Sequence, residues 1–83
     1  MSIETPLKLG IYRHYKGLDY RVLACARDSE TEAWHVVYRC LYADYSLWVR
    51  PLTSFTEAVN IDGEPVARFA WLKPAEPDSE SLL

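Results

Sequence analysis

The chain has 83 residues, a formal net charge of -3 at pH 7 and 49% hydrophobic residues. This length allows one domain, and the net negative charge disfavours non-specific binding to nucleic acid. A domain this small needs a dense core to be stable, and three tryptophans, six tyrosines and two phenylalanines supply aromatic side chains for one.

The sequence leads us to expect no signal peptide and no membrane-spanning helix. No positively charged, apolar leader precedes the domain, and no apolar run approaches the roughly 20 residues of a spanning helix. We therefore expect a cytoplasmic protein without membrane contacts, in which Cys25 and Cys40 stay reduced. The spacing of these cysteines from His14 and His35 matches no zinc motif, so we predict no metal site and no cofactor.

The chain divides into a central domain and two polar ends. Residues 1–6 are predicted to form a flexible N-terminus, residues 7–73 the folded domain and residues 74–83 a disordered acidic tail. Residues 7–14 alternate between apolar and polar side chains, as a strand does. Gly17 predicts the tight turn that follows, because glycine readily adopts a positive φ.

The two clearest predicted strands, residues 20–27 and 33–42, are joined by a polar run at residues 28–32. A hairpin centred on this loop gives one face made only of apolar and aromatic side chains. A slip of one residue would destroy that face, so the register is specified. The partners on the predicted core face are Tyr20 and Cys40, Val22 and Tyr38, Ala24 and Val36, and Ala26 and Trp34.

The opposite face of this hairpin carries polar residues in the predicted register. Arg21 lies opposite Arg39, and a carboxylate from elsewhere in the chain or a bound anion would relieve their repulsion. Cys25 lies opposite His35, a thiol–imidazole pair of the kind that nucleophilic enzymes use, although the sequence offers no recognisable oxyanion hole. Cys25 and Cys40 fall on opposite faces, which excludes a disulfide between them.

Three short elements follow the hairpin. They are a strand at residues 46–50, a helical or 3₁₀ turn at residues 53–58 and a last strand at residues 65–72. Pro51 is expected to end the first of these because it lacks a backbone donor, and Ser54 with Glu57 fits a capping box. About five short strands with no long helical period predict an all-β fold, in the form of a small closed or nearly closed barrel.

Spaced motifs across residues 7–72 carry a family resemblance. They are Gly10-x-Tyr12-x-His14-x-Lys16-Gly17-x-x-Tyr20, Glu30-Thr31, Val36-Val37-Tyr38, Leu41-Tyr42, Trp48-Val49-Arg50-Pro51, Phe55-x-x-x-Val59, Asp62-Gly63 and Arg68-Phe69. The pattern resembles the bacterial domain-of-unknown-function family 1653. This resemblance implies a small SH3-like β-barrel and no activity, since the family has no established function. The chain departs from the pattern at Asp28, where the resemblance leads us to expect histidine in many relatives.

Aromatic and basic side chains cluster near the predicted turns. We expect five of them to line one groove, namely Tyr12, His14, Lys16, Trp48 and Arg50. Arg50 is expected to contact an anionic group, and Tyr12 and Trp48 to stack on the ligand. This groove predicts a non-catalytic binding or adaptor module with a protein or peptide as its partner.

Three other interpretations are open from the sequence. In the first, the tyrosines and Trp48 only cover the barrel while arginine side chains extend over them. In the second, the groove binds RNA or single-stranded nucleic acid, which requires a continuous positive stripe on an otherwise acidic protein. In the third, Cys25 and His35 form the centre of a small enzyme.

Overall fold

A computed structural model describes residues 6–75. Their elements in chain order are β1 (Gly10–His14), β2 (Asp19–Arg27), β3 (Trp34–Cys40), β4 (Leu47–Pro51), α1 (Leu52–Phe55), β5 (Ala58–Ile61), β6 (Glu64–Ala67) and β7 (Phe69–Lys73). The predicted all-β fold with one short helical turn is confirmed. The predicted N-terminal extension and acidic tail lie outside the described residues, except for Pro6, Pro74 and Ala75. No helix in the described part is long and apolar enough to cross a bilayer.

The strands form two antiparallel sheets. A five-stranded sheet has the order β4-β3-β2-β1-β7, and β5 pairs with β6 in a separate two-stranded ribbon. β4 and β7 are the edges of the larger sheet, so within residues 6–75 its strands do not join into a closed ring. The chain reaches the far edge because α1 and the ribbon carry it from β4 across to β1, where β7 pairs.

The predicted last strand at residues 65–72 is two strands that belong to different sheets. β6 pairs with β5, whereas β7 pairs with β1, and the switch occurs at Arg68. The backbone N–H of Arg68 donates to the carbonyl of Glu57 (3.2 Å), and its carbonyl accepts from the N–H of Tyr15 (3.0 Å). These bonds fix the crossing, which the apolar residues on both sides of Arg68 do not reveal.

The central hairpin keeps the predicted register only over its first residues. Tyr20 faces Cys40 and Val22 faces Tyr38, as predicted. A bulge at Leu23 then adds one residue to β2 and shifts every later pair by one position. The observed partners beyond the bulge are Ala24 and Val37, Cys25 and Val36, Ala26 and His35, and Arg27 and Trp34.

The shift corrects two predictions about the cysteines. Cys25 lies opposite the fully buried Val36 and packs against the core, so the predicted Cys25–His35 pair does not form. Cys25 and Cys40 therefore share one face of the sheet rather than opposite faces. Both thiols are free, and three residues of β3 separate Val36, the partner of Cys25, from Cys40.

The helical turn begins earlier than predicted and lacks the predicted capping box. Pro51 is both the last residue of β4 and the N-cap of α1, and no side chain caps the turn. The hydroxyl of Ser54 accepts a hydrogen bond from Arg50 instead (2.9 Å), and Glu57 forms an ion pair with Arg68 (3.2 Å). The two side chains thus link α1 and the segment that follows it to neighbouring strands.

The core is largely aromatic. Its buried members are Tyr12, Val22, Val36, Tyr38, Phe55 and Phe69. Phe55 of α1 and Phe69 of β7 lie in parallel planes with ring centroids 4.1 Å apart. Tyr12 and Tyr38 meet the edge of Phe55 at centroid distances of 5.4 and 5.5 Å, an arrangement that aromatic quadrupoles favour.

Gly10 lies at a close approach between β1 and β7. It has a φ of +138°, and a Cβ at this position would lie 2.5 Å from the carbonyl oxygen of Lys73 and 2.8 Å from Nε1 of Trp71. Trp71 donates from Nε1 to the carbonyl of Leu9 (3.1 Å). The glycine is therefore required for both its backbone conformation and its lack of a side chain.

We predict that Gly10→Ala destabilises the protein more than Gly17→Ala. Gly17 also has a positive φ (+96°), but a Cβ there would have no neighbour within 4 Å. The Gly17 variant should lose about 1–3 kcal/mol of unfolding free energy through backbone strain. The Gly10 variant should lose about 1–3 kcal/mol more through overpacking against β7. Urea denaturation of both variants measures the difference, and equal losses would contradict the close contact.

Candidate functional site

A cleft opens on the face of the sheet where β2, β3 and β4 meet the loop at residues 41–46. It has a volume of about 330 Å³, near the lower end of the range for small-molecule sites. We call it the tyrosine cleft; its lining residues are Tyr20, Tyr38, Cys40, Tyr42, Ala43, Asp44, Ser46, Trp48 and Arg50. Three phenol rings, one indole, one carboxylate and one guanidinium therefore surround a single space.

The strand register brings these side chains together. Tyr20 lies opposite Cys40, and Tyr38 lies opposite Trp48. Side chains of directly opposed residues project from the same face of a sheet. Arg50 follows Trp48 by two residues and so lies on this face as well. The cleft is thus a product of two hairpins that share β3.

The loop at residues 41–46 supplies the polar rim. The amide of Tyr45 donates to the carbonyl of Tyr42 (3.1 Å), and both Ala43 and Tyr45 have a φ of +55°. Oδ1 of Asp44 accepts from the amide of Ser46 (3.2 Å), as in an Asx turn. Hydrogen bonds from the hydroxyl and amide of Ser46 hold the pKa of Asp44 below its usual value, so this carboxylate is ionised at neutral pH.

Two tyrosine hydroxyls meet at the wall of the cleft. The hydroxyl of Tyr20 and that of Tyr42 form a short hydrogen bond, and their rings pack edge to face at 5.4 Å. Burial and, next, the bond to Tyr42 raise the pKa of Tyr20 well above its ordinary value. The phenol of Tyr20 therefore stays protonated at neutral pH, and the hydroxyl pair gives the wall groups that donate and accept hydrogen bonds.

Arg50 is held between a strand and the helical turn. Its Nη1 donates to Oγ of Ser54 (2.9 Å), and its Nε lies 3.5 Å from the hydroxyl of Tyr38. The guanidinium carbon lies 5.7 Å from the centroid of the Phe69 ring. These contacts fix the orientation of the guanidinium, and they use two of its five N–H donors.

His14 lies in a basic environment against the ring of Phe69, which Arg50 also contacts. Burial lowers the pKa of His14 first, and the positive charges of Arg68, Lys16 and Arg50 lower it further. The amide of Lys16 donates to Nδ1 of His14 (3.2 Å), so the neutral ring carries its proton on Nε2. Its ring also packs against Phe69 with centroids 4.9 Å apart. This end of the cleft therefore has a positive field.

Arg68 contributes to that field from the crossing between β6 and β7. Its Nη2 pairs with Oε1 of Glu57 (3.2 Å). Its Nε is buried and makes no hydrogen bond to any described residue. The ion pair is half exposed and contributes little to stability on its own. The position of Arg68 next to Phe69 instead adds positive charge close to the aromatic floor of the site.

The structure separates the five residues predicted to line the groove. Trp48 and Arg50 line the tyrosine cleft. His14 does not line the cleft, although it contacts the ring of Phe69 as Arg50 does, and Lys16 is exposed in the turn that follows β1. Tyr12 is only 5% exposed, and its hydroxyl donates to the carbonyl of Lys8 (2.5 Å). Tyr12 thus packs in the core, and the ligand-binding role of the five residues stays a prediction.

The sequence did not identify the phenols and the loop residues of the cleft. Tyr20, Tyr38 and Cys40 were assigned to the core face, where they do lie, but the same face also forms the wall of the cleft. Asp44 lies in the loop between β3 and β4, and nothing in the sequence indicates that this loop folds beside Trp48. A prediction that β4 pairs with β3 would have placed Trp48 beside Tyr38 and so indicated the site.

The two thiols lie in different surroundings. Burial raises the pKa of Cys25, and only a weaker contribution from a backbone hydrogen bond at Leu7 opposes this. The thiol of Cys40 lies 3.4 Å from the carbonyl oxygen of Tyr42, with Asp44 and Ser46 at longer distances. In residues 6–75, no group of three or more histidine, cysteine, aspartate or glutamate residues is arranged to hold a metal ion.

The small all-β domain matches a known protein family. The family model described as a protein of unknown function, DUF1653, matches residues 10–71. The chain therefore belongs to the DUF1653 family. It is similar to the crystal structure of a DUF1653 protein from Bordetella bronchiseptica, with 37% sequence identity and a TM-score of 0.75 over 88% of this chain and 96% of that chain. No curated protein matches the chain.

We predict that Lys16→Met raises the pKa of His14 towards its ordinary value of 6.5, because the substitution removes one of the charges that lower it. Arg27→Met is the control, since Arg27 lies over Trp34 (4.3 Å) at the other end of β2. An NMR titration of the His14 ring protons measures the shift. No change in the Lys16 variant, or an equal change in the Arg27 variant, would contradict the basic field.

The same shift has a consequence for stability. The pKa of His14 is lower in the folded than in the unfolded protein, so protonation opposes folding. This part of the unfolding free energy is complete above pH 6.5 and is lost as the pH falls through the lowered folded pKa. The Lys16 variant should lose less of it, and urea denaturation at neutral and mildly acidic pH tests the sign.

Proposed function

We propose that the chain is a small non-catalytic binding module whose tyrosine cleft holds a ligand with a flat group and an anionic group. The observation that carries this proposal is the position of Arg50. Tyr38 and Ser54 orient its guanidinium at the cleft, and its other N–H donors are left for a ligand. A pre-oriented guanidinium suits two-point binding of a carboxylate or phosphate, because little side-chain entropy is lost on binding.

Trp48 supports the flat part of the proposed ligand. It lines the cleft and is 56% exposed, although it lies on a strand that pairs with the buried centre of the sheet. Large apolar side chains at this exposure are available for stacking, and the neighbouring rings of Tyr38 and Tyr42 provide further surface. An aromatic ligand bearing an anion would contact the indole and the guanidinium together, since both lie on one strand.

We further propose a finer assignment of fold and location. The order β4-β3-β2-β1-β7, with α1 between β4 and the last strand, supports an SH3-like barrel topology. The relative from Bordetella bronchiseptica supports a bacterial origin. The free thiols of Cys25 and Cys40 support a reducing cytoplasm. An adaptor role would follow if the ligand group were part of a protein or peptide.

We predict that phenyl phosphate, a flat ring with one phosphate, binds in the cleft. Titration of the ¹⁵N-labelled protein should shift the amides of Trp48, Arg50 and residues 42–46. Arg50→Met should weaken binding by tenfold or more, because hydrogen bonds to a charged group contribute about 1.5–3 kcal/mol. Trp48→Ala should also weaken binding, with the fold retained, because the indole is largely outside the core.

Arg27→Met is the matched control for charge. It removes one arginine that lies over Trp34, on a part of the sheet outside the cleft. Binding by this variant should equal that of the unmodified protein. The proposal is wrong if phenyl phosphate leaves the cleft amides unshifted, or if the Arg27 and Arg50 variants lose affinity equally.

A further inference from the structure

The tyrosine cleft has opposite charges at its two ends. Asp44, at the rim, is ionised and is anchored to the amide of Ser46. Arg50 lies four residues beyond Ser46 along the same extended segment, a span of about 13 Å at 3.3 Å per residue. A ligand that carries only an anion would leave the carboxylate end unused. The cleft is therefore complementary to a ligand with a hydrogen-bond donor at one end and an anion at the other.

The space between these ends is walled by rings. Tyr20, Tyr38, Tyr42 and Trp48 line it, and a volume of about 330 Å³ suits a ligand of the size of one nucleotide. Every nucleobase has a flat π-face that stacks on such side chains without regard to its identity. The hydroxyl pair of Tyr20 and Tyr42 adds neutral hydrogen-bonding groups at the wall, where a base or a ribose has several polar atoms.

Each end of the cleft matches one part of an amino-substituted nucleotide. A carboxylate accepts a hydrogen bond from the exocyclic amine of cytosine, whereas the carbonyl that uracil has at the same position is itself an acceptor. A guanidinium binds phosphate through two parallel hydrogen bonds. The positive charges of Lys16 and Arg68, which act on His14 together with Arg50, favour a phosphate at that end rather than at the Asp44 end.

We propose that the tyrosine cleft binds a nucleotide whose base carries an exocyclic amine, with the amine at Asp44, the ring beside Trp48 and the phosphate at Arg50. This inference rests on the proposed function and names its ligand class. The nucleotide is either free or one unit of a single strand, because both present the same base and phosphate. Asp44 acts as the specificity residue, since it distinguishes a donor from an acceptor on the base edge.

The test compares cytidine and uridine 5′-monophosphate, which differ at the position that Asp44 would contact. In NMR titrations, the cytidine nucleotide should bind about tenfold more tightly, the discrimination expected of one specific base-edge contact. Asp44→Asn should reduce the ratio of the two affinities to near one, because the amide of asparagine both donates and accepts. Asp62→Asn, a carboxylate variant in the exposed turn between β5 and β6, should leave the ratio unchanged.

Phenyl phosphate separates this inference from the proposed function. If it binds while the two nucleotides bind equally, or if Asp44→Asn leaves their ratio unchanged, the nucleotide proposal is overturned and the anion-binding cleft stands. If neither phenyl phosphate nor any nucleotide shifts the cleft amides, both proposals fail. Pentacytidylate that binds more tightly than the mononucleotide supports the site with a single strand as its source, and equal affinity per cleft supports the site with a free nucleotide.

Discussion

The stacked pair of Phe55 and Phe69 is the contact on which the rest of the structure depends. It joins α1, which directly follows the edge strand β4, to β7, the strand at the other edge of the sheet. Four other side chains meet the ring of Phe69, namely His14, Tyr20, Tyr38 and Arg50. The floor beneath the tyrosine cleft is therefore the core itself. A chain of 83 residues has little buried volume to spare, and here one aromatic cluster supports both the fold and the site.

The hairpin shows how far alternation of side chains determines register. Tyr20 and Val22 were placed correctly because arginine flanks them on the opposite face, and a slip would bury that charge. From Leu23 to Ala26 the residues are apolar on both faces. The predicted register and the observed one therefore bury nearly the same apolar surface. The bulge is therefore invisible in the sequence, and the incorrect Cys25–His35 pair followed directly from it.

The site was harder to predict than the fold because a tyrosine side chain can pack in the core and also line a cleft. The rings of Tyr20 and Tyr38 pack with the core, which their strand positions predicted, while both residues also line the cleft. Tyr12 is also a tyrosine on a central strand and lies opposite Tyr20, yet its hydroxyl donates to the carbonyl of Lys8 and its side chain does not line the cleft. Tyr38 and Tyr12 differ in their neighbouring strand. Tyr38 lies opposite Trp48 of β4, whereas Tyr12 lies opposite Trp71 of β7.

Because the same tyrosine rings belong to the core and to the walls of the cleft, only some cleft residues can change to alter ligand specificity. Truncating Tyr38 would remove a buried ring, and such changes cost about 3–5 kcal/mol of unfolding free energy, a large part of what a small domain has. The exposed residues Asp44 and Trp48 can change without that cost, because they contribute charge and surface rather than packing. Changing Arg50 would have an intermediate cost in unfolding free energy, since its bonds to Tyr38 and Ser54 link the strand to the helical turn. The walls of the cleft are thus constrained by folding, and the rim is the part of the site in which ligand preference can vary.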